Sequence, residues 1–188
     1  MKTAFIFLAD GFEEIEAIGI TDVLRRADID VILVSTEDEE DVTALGAHDI
    51  AVEYDMAFDN FDVADADEAD ALILPGGMPG SANLNEHEPL KELLVEHYNK
   101  GKLVAAICAA PIVLGGLGLL EGRRATCYPS FEPQLKGAIL TDAPVVTDGN
   151  VITGKSPGSV FAFALAVVEY LVGKEIADQV AADLCLPA

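Results

Sequence analysis

The sequence predicts a single α/β domain over residues 1–188, with a mainly parallel sheet carrying helices on both faces. Three observations lead there. Short apolar runs alternate with helical patterns from one end of the chain to the other, the signature of repeated βα units. Those runs are apolar throughout rather than alternating, as in strands covered on both sides. The chain is 51% hydrophobic over 188 residues, enough for one core, yet no run approaches the ~20 apolar residues of a membrane span.

Taken in order, Thr3–Leu8 reads as the first strand. It follows Met1-Lys-Thr too closely, and is too short, to be a signal-peptide core, so the cytoplasm is the expected compartment. A helix follows over 13–27, with Ile15, Ile18, Val23 and Leu24 as inward positions. A second strand over 31–35 precedes an acidic turn, Glu37-Asp-Glu-Glu-Asp41. Residues 48–54 read as one strand of an exposed hairpin, and Ala71–Leu74 as a buried strand ending at Pro75-Gly-Gly77. A helix over 84–100 stops at Gly101. Strand Leu103–Ile107 leads into a helix after Pro111, and a further strand covers 124–127. Two strands flank the hairpin signal Gly149-Asn150, and helices over 159–172 and 174–184 close the chain.

Thirty-three acidic and 11 basic residues leave a net charge of −22. Such a surface repels phosphate backbones and anionic lipid, so neither nucleic acid nor membrane is an expected partner. Cys108, Cys127 and Cys185 lie far apart with no CxxC pair, which predicts free thiols, neither a disulfide framework nor a zinc site. No metal and no cofactor is expected.

In a parallel α/β sheet, ligands bind beyond the carboxyl ends of the strands. That rule gathers three loops: Asp10-Gly-Phe-Glu-Glu-Ile-Glu16, Pro75-Gly-Gly-Met78, and the turn holding Cys108. Cys108 falls where a strand turns into a helix, which lifts a side chain out of the sheet and aims free helix N–H groups at it. The helix dipole should favour thiolate there. A nucleophile or redox centre and a small buried hydrophobe are both open readings of this cysteine. The N–H groups of Gly77 and Ala109 could form an oxyanion hole, although a Pro-Gly-Gly also makes an ordinary tight turn. Glu13, Glu14 and Glu16 complement the first helix dipole, and only the one facing the cysteine can be catalytic. An ionised carboxylate would raise the thiol pKa, so Glu16 assists when protonated and then serves as general acid–base. His48, His87 and His97 are expected as solvated surface residues, and no histidine directly follows the cysteine.

Four motifs, Ala9-Asp-Gly-Phe-Glu-Glu-Ile-Glu16, Leu74-Pro-Gly-Gly77, Ala105-Ala-Ile-Cys-Ala-Ala-Pro111 and Ser156-Pro-Gly-Ser159, stand in an order and spacing that resemble the ThiJ/PfpI superfamily. The similarity is to its DJ-one, parkinsonism-associated branch, and runs over essentially the full chain. The resemblance implies a flavodoxin-like three-layer α/β/α sandwich and a homodimer with the first helix near its interface, where Arg26 and His48 could contact the partner. It implies Cys108 as the oxidation-sensitive nucleophile, Glu16 as the glutamate bonded to it, and Gly77 and Ala109 as backbone donors. Thr126-Cys-Tyr-Pro129 departs from the pattern, because Tyr128 stands where the best-known relatives carry histidine. A phenol donates a hydrogen bond but is a poor base at neutral pH, so Tyr128 is assigned to orienting substrate and proton movement falls to Glu16.

The function implied is a cofactor-independent glyoxalase or deglycase acting on a small dicarbonyl of the methylglyoxal type, or on glycated substrates. The alternative is a redox sensor or chaperone responding through oxidation of Cys108. Protease activity is not expected, since that branch needs a histidine after the cysteine. Cys127 reads as a packed strand cysteine or a resolving thiol, and Cys185 as a free thiol.

Overall fold

The computed structural model describes residues 1–37 and 43–187. In chain order the strands are β1 (Thr3–Leu8), β2 (Asp30–Ser35), β3 (Thr43–Leu45), β4 (Ala51–Glu53), β5 (Met56–Ala57), β6 (Ala71–Leu74), β7 (Leu103–Ile107), β8 (Arg124–Ala125), β9 (Ile139–Leu140), β10 (Val145–Asp148) and β11 (Val151–Gly154). The helices are α1 (Glu14–Arg26), α2 (Val63–Glu68), α3 (Gly80–Glu86), α4 (Glu88–Asn99), α5 (Pro111–Gly116), α6 (Val160–Val172) and α7 (Lys174–Asp183).

Seven strands make the central sheet in the order β10-β11-β7-β6-β1-β2-β5. Every neighbouring pair is parallel except β10 with β11, the hairpin at Gly149-Asn150. The two-residue alternation of a strand divides the core in two. Ala4, Ile6 and Leu8 of β1 join Leu103, Ala105 and Ile107 of β7 beneath α1, α6 and α7. Phe5 and Phe7 join Leu72, Leu74, Val104 and Ala106 on the other face, beneath α3, α4 and α5. The result is a flavodoxin-like three-layer sandwich. β1 is followed by β2 on one side and later by β6 on the other, so the strand order reverses between β1 and β6. Ligand crevices form at such a reversal.

Several expectations are corrected. On α1 the inward stripe is Glu16, Ala17, Ile20, Thr21, Val23 and Leu24, while Ile15 and Ile18 point outward, 59% and 48% exposed. A buried glutamate occupies a place that hydrophobicity alone would give to isoleucine. The helix over 84–100 is two helices broken at His87, whose backbone is extended and whose Nδ1 accepts the Leu90 N–H at 3.1 Å. Pro89 lacks an N–H and fits only a first turn, so the second helix must begin there. His87 is half-buried, edge-on to Phe58. The exposed hairpin pairs β3 with β4, which puts His48 in its loop rather than in a strand. The strand over 124–127 shortens to β8, paired with β9 outside the main sheet. The acidic turn lies, apart from Glu37, outside the described residues. No helix of the described residues is long and apolar enough to cross a membrane.

His97 is also corrected from solvated to buried, at 2% exposure. Burial, helped by Lys102, pushes its pKa down to about 4, and Nε2 has no hydrogen-bond partner among the described residues. Unfolded histidine titrates near 6.5, so folded stability is whole above that pH and falls as acid protonates the unfolded chain first. In urea melts, the wild type should lose roughly 2 kcal/mol more than His97→Leu between about pH 7 and about pH 5. Equal losses would show that His97 carries no such linkage.

Candidate active site

β7 ends with its register intact: the Cys108 N–H donates to the Gly154 carbonyl at 2.9 Å. The chain then bends at Cys108 itself, where φ is +64°. Such a conformation costs a non-glycine residue about 1–3 kcal/mol and is kept when its surroundings over-determine it. Here the Tyr128 N–H donates to the Cys108 carbonyl at 2.7 Å, and Pro111 opens α5 three residues later. The bend turns the thiol toward the crevice between β1 and β6, leaving Cys108 8% exposed.

Glu16 approaches from the first turn of α1 and is fully buried. Its Oε2 accepts the Gly76 N–H at 2.7 Å, and the carboxyl faces the Cys108 thiol. Oε1 has no other hydrogen-bond partner among the described residues. Burial pushes this carboxyl up to about 7; the Gly76 N–H and the thiol oppose the rise, and the charge of Glu13 adds to it.

The thiol does not follow the expectation drawn from the helix dipole. Burial and the nearby Glu16 carboxylate push Cys108 up to about 12, against the N–H groups of Gly77 and Ala109 that hold the sulfur. α5 is only six residues long, and two amides do not outweigh desolvation plus a neighbouring negative charge. The Glu16 part of this rise depends on its protonation. Once protonated, the carboxyl ceases to repel thiolate and can donate its O–H to sulfur. Cys108 and Glu16 therefore act as one pair whose first proton leaves near neutrality.

Glycine makes this closeness possible. A Cβ on Gly76 would stand 2.6 Å from the Cys108 Cβ and 2.7 Å from Glu16 Oε2, closer than real contacts allow. At Gly77 the backbone is left-handed, with φ +93°, which turns its N–H toward the sulfur.

Of the residues picked from sequence, Cys108, Glu16, Gly77 and Ala109 come together. Tyr128 is tied to the site through its backbone. The residue is 44% exposed, its ring edge-on to Phe131 with centroids 6.4 Å apart, and its hydroxyl bonds to none of the described residues. Cys127 is buried in the other half of the core, the one that holds Ala110 and Leu135; burial and Glu132 push it up to about 11. Cys185 is exposed.

Sequence reasoning missed one group. His48 donates its backbone N–H to Glu14 Oε1 at 2.6 Å, and its Nδ1 lies 2.7 Å from Glu14 Oε2 and 3.8 Å from Glu13 Oε2. No local signal joins residues 34 positions apart. These three side chains could share a cation, since their ligand atoms lie within 4.8 Å of one another. Yet both Glu14 oxygens already engage His48, and the positive end of the α1 dipole opposes a cation there. The group reads as an ion pair.

Residues 2–170 match the DJ-1/PfpI family. The chain is 40% identical over 185 residues to Protein dj-1beta of Drosophila melanogaster, covering 97% of this chain and 96% of that one. It is 36% identical over 191 residues to the glutathione-independent glyoxalase DJR-1.2 of Caenorhabditis elegans, covering 98% and 97%. Among solved structures, oxidized Toxoplasma gondii DJ-1 superposes with a TM-score of 0.92 at 34% identity, covering all of both chains.

Glu16 has a folded pKa above its unfolded value, so its burial costs stability once pH rises past about 4.5 and most fully above about 7. Glu16→Gln keeps an acceptor for the Gly76 N–H and removes the charge. It should therefore stabilise the protein by roughly 3 kcal/mol at about pH 8 and by much less at about pH 5. Denaturant melts at both pH values check this; a destabilised variant at about pH 8 would contradict the buried charge.

Proposed function

The chain belongs to the DJ-1/PfpI family, and from that premise we propose that it is a cysteine-dependent glyoxalase, consuming methylglyoxal-type dicarbonyls without an added cofactor. The observation that carries this reading is the buried Glu16 carboxyl, pushed up to about 7, against the Cys108 thiol. A base that titrates near neutrality can both take and return a proton at working pH.

Ionised Glu16 takes the thiol proton as sulfur attacks the aldehyde carbon. The new C–S bond leaves the electron pair on the carbonyl oxygen, beside the Gly77 and Ala109 N–H groups. Glu16 returns its proton to that oxygen, giving a hemithioacetal. The carboxylate then removes hydrogen from the same carbon, and the resulting enediolate is protonated on the neighbouring carbon. One carbon is thereby oxidised and its neighbour reduced, so no external oxidant is needed. Water cleaves the S-lactoyl thioester to lactate and free thiol. Tyr128 is assigned to orienting substrate through its hydroxyl, with proton movement carried by Glu16. A glycated thiol or amine enters once its adduct carbon releases the thiol or amine and regenerates the aldehyde that Cys108 then attacks, so deglycation belongs to the same reading. A cytoplasmic setting keeps such a thiol reduced.

A second reading has its own support. One structural neighbour is named as an oxidized DJ-1, and two N–H donors at a sulfur suit a sulfinate as well as an oxyanion. In that reading oxidation of Cys108 is the signal and no turnover follows.

We also propose a homodimer. Ile15 and Ile18 on α1 and Leu45 and Ile50 on the hairpin are all exposed apolar side chains, and the chain carries a charge of −22 that would otherwise favour a wholly polar surface. A second copy is the occupant that the family resemblance favours. Sedimentation should show twice the 19.8 kDa chain mass at micromolar concentration, with Ile18→Lys shifted toward monomer. A wild-type boundary at monomer mass would overturn the dimer.

Purified protein should convert methylglyoxal to lactate, with kcat/KM rising as pH passes through about 7, where Glu16 ionises. Cys108→Ser should abolish turnover, and Glu16→Gln should lower it by roughly a hundredfold or more. No lactate from a folded wild type whose Cys108 still alkylates would reject the glyoxalase and favour the redox reading.

A further inference from the structure

Both N–H donors at the sulfur belong to peptide groups whose carbonyls are themselves tied. In a trans peptide the C=O and N–H lie in one plane and point opposite ways, so a partner on the oxygen fixes where the hydrogen points. The Gly77 N–H shares its peptide with the Gly76 carbonyl, which accepts the Glu13 N–H at 2.8 Å. The Ala109 N–H shares its peptide with the Cys108 carbonyl, which accepts the Tyr128 N–H at 2.7 Å. The first tie joins the chain just before α1 to the chain just beyond β6. The second depends on where residues 126–128 lie, and they belong to no strand or helix.

A side chain holds that segment. The Thr126 N–H donates to Thr153 Oγ1 at 3.0 Å, and both residues are buried. Thr153 is fixed in β11 opposite Ala106 of β7, and the next residue, Gly154, accepts the Cys108 N–H at 2.9 Å. The end of β11 therefore grips the cysteine on both sides of its Cα. One grip is direct, through the Gly154 carbonyl; the other runs through Thr153, the 126–128 segment and the Cys108 carbonyl. Without the Tyr128 bond, the 108–109 peptide plane can rotate and carry the Ala109 N–H away from the sulfur.

We propose that Thr153 is a positioning residue for the reaction at Cys108. Its hydroxyl oxygen holds Thr126 so that the Tyr128 N–H sets the 108–109 peptide plane and aims the Ala109 N–H at the oxyanion. The action is indirect, through two hydrogen bonds, and Thr153 takes no proton from substrate. Valine has nearly the shape of threonine without the acceptor, and would leave the buried Thr126 N–H unpaired. Serine keeps the acceptor and loses only a methyl group.

The kinetic part of the test rests on the glyoxalase reading, and a second measurement reads the amide itself. Wild type, Thr153→Val and Thr153→Ser are compared for conversion of methylglyoxal to lactate, and by NMR for the Ala109 amide. Labelling with carbonyl-13C cysteine and 15N-alanine selects Ala109 alone, because Cys108-Ala109 is the one Cys-Ala pair in the chain. Removing an oxyanion donor outright costs roughly a hundredfold or more in kcat, so misaiming one in Thr153→Val should cost about thirtyfold. KM should stay within about twofold, since the donor acts on charge that develops only in the transition state. The Ala109 amide proton of Thr153→Val should move upfield as its bond to sulfur weakens. Thr153→Ser should keep the wild-type amide position and a kcat within about threefold of wild type. If melts show Thr153→Val unfolded, Thr153→Ala removes the same acceptor and is read in its place. No lactate from folded wild type would overturn the glyoxalase reading, and the amide position would then decide for or against Thr153. An Ala109 amide unmoved without the acceptor, a loss confined to KM, or Thr153→Ser as impaired as Thr153→Val would overturn the proposal.

Discussion

The contact on which the site depends is a carboxyl buried against a thiol. Neither group is well placed in a protein interior when charged; the Glu16 charge makes the thiol harder to ionise, whereas the protonated thiol eases ionisation of Glu16. Three backbone donors hold the arrangement: the Gly76 N–H on Glu16, and the Gly77 and Ala109 N–H groups on sulfur. Main-chain amides cannot be titrated away and have fixed directions, so they confine the pair more strictly than side chains would. The remaining local oddities follow from this. Two glycines stand side by side because no Cβ fits, and Cys108 keeps a left-handed backbone because the turn must present its sulfur to those amides.

The central sheet supplies the convergence. Reversal of the strand order between β1 and β6 opens a crevice at their carboxyl ends, and β7 lies next to β6. The acid, the amide loop and the thiol therefore come from adjacent strands, each with a short route to the same point. The two halves of the core lock those strands from opposite faces, with α1 and α6 on one side and α3 to α5 on the other. The buried face of α1 both packs the core and carries Glu16. That is why a glutamate sits in a stripe otherwise made of Ala17, Ile20, Val23 and Leu24.

The acid–base character of the pair bears on both functional readings. A thiol that stays protonated while Glu16 is ionised is not a free thiolate waiting for oxidant. It becomes nucleophilic when its proton has somewhere to go, and Glu16 is the nearest acceptor. Dicarbonyl chemistry uses that acceptor for the thiol proton and again for the carbon-bound proton, whereas oxidation to a sulfinate uses it only to stabilise the product. The same geometry thus ties reactivity to the position of one carboxyl, and the position of that carboxyl to the Gly76 N–H that it accepts.

Much of this was legible in the chain itself. Apolar runs separated by helical patterns identify the parallel α/β layers, because strands buried on both faces must be apolar. The junction after Ile107 identifies Cys108, and the motif order brings Glu16, Gly77 and Ala109 with it. Other features came only from the folded chain. Ile15 and Ile18 turn outward, while Glu16 takes the inward place its motif assigns, because the inward stripe of a helix is set by where its neighbours lie, not by hydropathy alone. His97 is buried because α4 begins afresh at Pro89 and sets which of its faces meets the sheet. The pairing of His48 with Glu14 joins residues distant in sequence through a hairpin, and no spacing rule reports such a contact. The pKa of the thiol was decided by desolvation and a neighbouring charge, both properties of the packed site. Local pattern determines which elements form and which side chains are candidates for chemistry; burial and long-range contact decide how those side chains behave.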